Sequence, residues 1–322
     1  MKNKKSILMI VISVLMMILF VACDKNDEKT TTANNQSKKI NVVTTIFPIY
    51  DFVRQIAGDQ VNLTMLLPPG AESHSYEPTP QDIIKIHNSN LFLYVGGDSD
   101  AWVNSILKST NKDKMNIMTL MDCVTTVEEE SVEGMQAEED EEKGADPELD
   151  EHVWTSPKNA ILIVKKITNQ LCKIDSSHSK VYKSNSDAFI QKLTKLDQEI
   201  KYVVDHSHRK EIIVGDRFPF RYFVDAYGLK YYAAFPGCST DTEPSAATVS
   251  FLIDKVKEDK IPVIFHIELS NEQMCDSISK ATGAKKELLN AVHNVTKDDF
   301  KAGVTYLDLM ERNVKILKEA LN

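Results

Sequence analysis

From residue 40 onward, β-branched runs alternate with segments whose apolar positions recur at helical spacing. Residues 40–46 (Ile-Asn-Val-Val-Thr-Thr-Ile) read as a strand, and 48–57, opened by Pro48 and closed by Gly58, as a helix. Further strands are predicted over 61–67, 91–95 and 117–120, with helices over 80–87 and 102–107. Ser156-Pro157 opens another helix, on which Ile161, Val164, Ile167 and Leu171 form a stripe. A second set has strands over 212–214, 230–235, 261–266 and 287–289, and helices over 220–227, 245–257, 271–282 and 304–321. Between the sets, residues 179–209 contain neither Gly nor Pro and carry one stripe through Tyr182, Phe189, Leu193, Leu196 and Ile200. That predicts a single helix of about 30 residues, roughly 45 Å long. The expected fold is α/β. Two doubly wound lobes (40–178 and 210–322) are joined by one long rigid helix (179–209), with the ligand in the interlobe cleft at the carboxyl ends of the strands.

The amino terminus departs from this pattern. Lys2, Lys4 and Lys5 precede an apolar run over 7–22 that ends in Leu-Phe-Val-Ala-Cys23. A basic region followed by so short an apolar stretch predicts an export signal rather than a spanning helix. The Cys-terminated ending resembles a bacterial lipobox, which makes Cys23 the expected lipidation site and new amino terminus after loss of 1–22. Residues 23–39 are polar and predict a flexible tether. The expected location is extracytoplasmic, with the chain leashed to a lipid membrane through an acylated Cys23.

The chain has 322 residues, of which 42% are hydrophobic, so a packed core is expected and wholesale disorder excluded. With 38 basic against 47 acidic residues, nucleic acid is not expected as a partner. Thirteen of the acidic residues lie in 128–151 against a single base, Lys143, and no periodicity accompanies them. Repulsion predicts an extended, solvated surface loop there; the alternative is a flap that gathers cations beside a metal site. Cys123, Cys172, Cys238 and Cys275 lack C-x-x-C spacing, which leaves free buried thiols and one disulfide bridge both open.

Three histidines fall where predicted strands give way to loops. His74 lies in a Pro-flanked loop after a strand, His152 just before the Pro157 helix, and His293 after the 287–289 strand. Neutral imidazole suits first-row divalent metals. His87, His178, His206 and His208 sit among polar neighbours in helical segments and are expected at the surface. His266 and Glu268 end a strand and are expected to support a cleft from behind.

Residues 70–82, Gly-Ala-Glu-Ser-His-Ser-Tyr-Glu-Pro-Thr-Pro-Gln-Asp, and 150–157, Asp-Glu-His-Val-Trp-Thr-Ser-Pro, resemble the two most specific motifs of the solute-binding lipoproteins of bacterial zinc and manganese ABC importers. The resemblance extends over 40–322. It implies that His74 and His152 are the first two metal ligands. The family's third ligand, usually His or Glu, falls in register on Arg217, a cation unable to coordinate one, so the neighbouring Asp216 is the expected substitute. The fourth, usually Asp, falls on His293. The implied set of His74, His152, Asp216 and His293 favours Zn2+, with Mn2+ the alternative.

The resemblance implies a monomeric carrier that delivers its ion to a cognate ABC permease and the ATPase subunit. It does not imply an enzyme. A metal-dependent hydrolase and a surface adhesin on the same scaffold are the alternatives. No H-E-x-x-H, nucleophile elbow or Gly-rich phosphate loop occurs in the sequence.

Overall fold

Strands buried on both faces need apolar residues at successive positions, and the inner strands of both sheets have them. The structure, a computed structural model of the chain, describes residues 39–109, 115–136, 148–239 and 243–322. Cys23, the signal stretch and all of the tether except Lys39 lie outside the described residues.

The first half contains β1 (Asn41–Thr44), α1 (Phe47–Ala57), β2 (Asn62–Met65), α2 (Pro80–His87), β3 (Leu91–Tyr94), α3 (Ala101–Ser109) and β4 (Asn116–Thr119). Its sheet is wholly parallel, in the order β2-β1-β3-β4. Two long helices follow, α4 (Pro157–Ile174) and α5 (Ser179–Asp205). The second half contains β5 (Glu211–Phe218), α6 (Arg221–Tyr227), β6 (Lys230–Pro236), α7 (Ala246–Glu258), β7 (Val263–His266), α8 (Gln273–Thr282), β8 (Lys285–Leu288), α9 (Lys297–Ala302) and α10 (Tyr306–Ala320). Its sheet, β6-β5-β7-β8, repeats the parallel arrangement.

The alternation along each strand explains how the halves are joined. Val42, Leu91, Leu93, Ile212, Val214, Val263 and Phe265 belong to one central apolar cluster that also takes in α1, α4, α5 and α10. Their neighbours Val43 and Phe92 face an outer cluster of the first half, and Ile213 and Ile264 one of the second. Because the central core is shared, Lys39–Asn322 forms one compact unit.

Helix α5 buries Tyr182, Phe189, Leu193, Leu196, Ile200 and Val204 in that core, whereas Val181 is exposed. It has 27 residues and ends short of the expected 209. Ser207 Oγ bonds the carbonyls of Val204 and Arg209 and turns the chain, while Arg209 N donates to Leu321 O at 3.1 Å.

Local signals set several helix starts. Thr79 and Asp82 form a capping box ahead of Pro80. Helix α9 was not expected, although Thr296 caps it through Asp299 N, a Thr-x-x-Asp signal present in the sequence. The described ends of the acidic segment keep Glu128, Glu130, Glu133 and Glu148 exposed, as expected of a solvated loop, but their backbone is paired rather than free. Glu128 pairs with Leu149 in an antiparallel bridge, Glu129 N donates to Glu148 O at 2.8 Å, and Gln136 N to Ala234 O of β6 at 2.9 Å. Its two ends therefore pack on the protein, and residues 137–147 lie outside the described residues. Cys123, Cys172, Cys238 and Cys275 are free thiols.

Candidate metal centre

Loops leaving the carboxyl ends of the strands carry the three expected histidines to one point. His74 comes from the loop after β2, His152 from the chain entering α4, and His293 from the loop after β8. Their ring centroids are 5.6 Å (His74 to His152), 5.3 Å (His74 to His293) and 5.0 Å (His152 to His293) apart. One nitrogen of each lies within 4.8 Å of the other two.

Each ring is held by a carboxylate at Nδ1. The contacts are His74 to Glu72 Oε1 at 2.9 Å, His152 to Asp150 Oδ1 at 3.2 Å, and His293 to Glu268 Oε1 at 3.1 Å. With Nδ1–H donating, Nε2 is the nitrogen left with a lone pair. All three Nε2 atoms are buried and have no hydrogen-bond partner. Buried polar atoms are rarely left so, and three at one point suit a cation.

The loops are fastened to one another. Asn294 Nδ2 donates to the carbonyls of Pro68 and Ala71 at 2.8 and 2.9 Å, and Gly70 N to Val295 O at 2.8 Å, which joins the His293 and His74 loops. Trp154 Nε1 donates to Ala291 O at 2.8 Å and joins the His152 segment to the same loop. Glu268 accepts from Ala291 N and His293 N, both at 2.7 Å. Between them Val292 has φ 66°, a left-handed conformation that a β-branched residue adopts only when its surroundings impose it.

The electrostatics differ from ring to ring. Burial lowers His293 well below its ordinary value, and the facing His152 and His74 add to this. Burial also lowers His152, but Asp150, Glu151 and Glu129 outweigh it and leave the ring above its ordinary value. Burial would raise Glu72, yet His74 and Arg217 hold its carboxyl far below the usual range.

Asp216 does not join these residues. Strand β5 has a register shift between Val214 and Arg217, which breaks the alternation of faces. Asp216 is left toward Cys275 of the outer cluster, where burial and then its charge push that thiol up. Arg217 is the residue that turns to the centre, with Nη2 donating to Glu72 Oε1 at 3.1 Å and Nη1 lying 3.1 Å from His74 Nδ1. Glu268 reaches the site as expected. His266 instead lies 3.0 Å from Ile267 O. His87, His206 and His208 are exposed, and His178 is half-buried against Asp175. The sequence reading missed Glu72 and Asp150, whose signal was a carboxylate two residues before each loop histidine.

Two parallel sheets around a shared core, with loop side chains meeting between them, define a two-lobed binding protein with a metal centre. The family described as "Zinc-uptake complex component A periplasmic" matches residues 42–320, and the chain belongs to it. It is 34% identical over 282 residues to the zinc-binding lipoprotein AdcA of Streptococcus pneumoniae (strain ATCC BAA-255 / R6), covering 87% of this chain and 56% of that protein. The chain thus spans about half the length of that relative. It is also 34% identical over 286 residues to the high-affinity zinc uptake system protein ZnuA of Bacillus subtilis (strain 168), covering 88% of each. The crystal structure of the Zn(II)-bound ZnuA-like domain of Streptococcus pneumoniae AdcA matches with a TM-score of 0.73 and 31% identity, over 88% of this chain and 99% of that one. Among the described residues, no helix is long and apolar enough to cross a membrane.

Proposed function

We propose that the protein captures a zinc ion outside the cytoplasm, between His74, His152 and His293, and delivers it to an ABC permease driven by an ATPase subunit. The observation that carries this reading is the meeting of three buried, unpartnered Nε2 atoms, each on a ring oriented by a carboxylate. Imidazole nitrogen suits zinc better than manganese, which prefers more oxygen. The names of the relatives point the same way; the family description supports an extracytoplasmic place, and the lipobox-like ending at Cys23 supports a lipid anchor. The ion is cargo here, and the chain's residues hold it without transforming anything.

The test is a zinc titration of the metal-free protein against a competing chelator. One ion should bind tightly, and His74→Ala, His152→Ala and His293→Ala should each weaken binding beyond the roughly 10–100-fold that loss of an outer-shell partner costs. A wild-type protein that retains no zinc, or three variants that bind as it does, would end the reading.

A further inference from the structure

We infer that Glu151 is the fourth ligand of this centre, occupying with a carboxylate oxygen the corner that neither Asp216 nor Arg217 fills. The inference rests on the three-histidine reading above and deepens it.

Carboxylates stand on both sides of the rings. Glu72, Asp150 and Glu268 all sit at Nδ1, the edge turned away from the meeting point. Among the described residues, Glu151 Oε1 is the carboxylate oxygen placed at an Nε2 atom, 3.7 Å from that of His74, with its side chain 4% exposed. A tetrahedral zinc with bonds of about 2.0–2.1 Å holds its donors roughly 3.4 Å apart, so this separation is close to that of two ligands of one ion. Glu151 and His293 also line the same small cavity between the strand ends, beside Ser73, Tyr76 and Ser99.

The carboxylate is held in place by its surroundings. Ser99 N donates to Oε2 at 3.2 Å, and Ser99 Oγ donates to Oε1. Gly97, at φ 75°, lies against it, and a Cβ there would come within 2.5 Å of Oε2. Only a glycine satisfies both the backbone conformation and the approach of Glu151. Arg217, which occupies the position of a third ligand by register, is engaged by Glu72 and by Ser239 O at 3.4 Å. The remaining competitor is Cys238, whose sulfur lies within 4.8 Å of donor atoms of Glu151 and His152; neither Glu151 nor Cys238 falls within that span of all three histidines, and the 3.7 Å approach to His74 Nε2 is what favours Glu151.

The experiment compares the wild-type protein with Glu151→Gln, Glu151→Asp and Cys238→Ser, measuring zinc affinity and the visible spectrum of the Co(II)-loaded form. The expected result is a tetrahedral Co(II) spectrum in the wild type. Both Glu151 variants should lose more than about 100-fold in affinity, beyond an outer-shell effect, and shift the Co(II) d–d bands. The Asp variant tests reach, because it keeps the charge and is shorter by one methylene.

Several outcomes would overturn the proposal. Affinity could fall while the Co(II) spectrum stays unchanged, making Glu151 a distant charge only. Glu151→Asp could bind as the wild type does. A near-ultraviolet thiolate charge-transfer band lost in Cys238→Ser would hand the corner to sulfur. Unaltered zinc binding in both Glu151 variants, with the histidine variants still defective, would remove Glu151 and leave the three-histidine site standing. No zinc binding by the wild type would remove both.

Discussion

The two halves of the molecule reach the same centre by different means. In the first half, His74 is oriented by Glu72, whose side chain is 35% exposed and bound to Arg217 from the other half. In the second half, His293 is oriented by Glu268, only 10% exposed and bound to two backbone amides of the histidine's own loop. One anchor is a solvent-facing charge bridge between the halves, and the other is a buried hydrogen-bond clamp within one half. The contrast teaches that similarly placed histidines can rest on supports of unequal strength, because burial multiplies the cost of leaving a partner unpaired.

The sharpest way to break the comparison is to remove each anchor and measure urea unfolding of the metal-free protein. Glu268→Ala leaves the amides of Ala291 and His293 buried without an acceptor, and should cost about 2–6 kcal/mol at about 1–3 kcal/mol per unpaired group. Glu72→Ala removes a partly exposed ion pair and should cost less than about 1 kcal/mol. Equal losses would erase the distinction.

A smaller effect separates His152 from His293 by pH. In the metal-free protein, NMR titration should place His152 above the ordinary histidine value of 6.5 and keep His293 neutral well below it. The signs follow from linkage. The raised His152 adds stability that is complete below pH 6.5 and is lost as pH rises through its folded value. The lowered His293 leaves stability intact above 6.5 and removes it as pH falls toward its folded value. His293→Gln should therefore flatten the acid-side decline of stability, and His152→Gln the decline above 6.5. Two rings titrating together would contradict the electrostatic difference.

The smallest effect is expected at Asp216. Asp216→Ala should change zinc affinity by less than about twofold and stability by no more than about 0.5 kcal/mol, as for substitutions away from special features. A tenfold loss of affinity would return Asp216 to the site and sink the account of the β5 bulge.

Much of this molecule was legible before any coordinates. The parallel strands follow from short β-branched and apolar runs and the helices around them from period-3.6 stripes, and Pro80–His87 was readable to the residue because Thr79, Pro80 and Asp82 mark its start. His74, His152 and His293 were legible because each is a histidine at a strand-to-loop or loop-to-helix transition. Asp216 shows where such reading stops. Its position in the strand was known, but the interruption between Val214 and Arg217 that redirects both side chains has no local sequence signature. Glu128–Gln136 shows the same limit in another form. Composition argued for a solvated loop, and Glu128, Glu130 and Glu133 are exposed, but backbone pairing with residues 148–149 and with β6 decided its path.

The sequence by itself determined the kind of chemistry available: imidazoles from three loops, carboxylates close to two of them in the chain, and an apolar frame able to carry strands buried on both faces. Local spacing suffices for that, because capping, periodicity and loop position depend on neighbouring residues. Only the tertiary structure decided which edge of each ring is turned inward, that Glu268 braces a histidine 25 residues away, and that Arg217 rather than Asp216 faces the centre. Ring orientation and facing depend on contacts between segments far apart in the chain, and a single strand irregularity is enough to exchange one side chain for its neighbour.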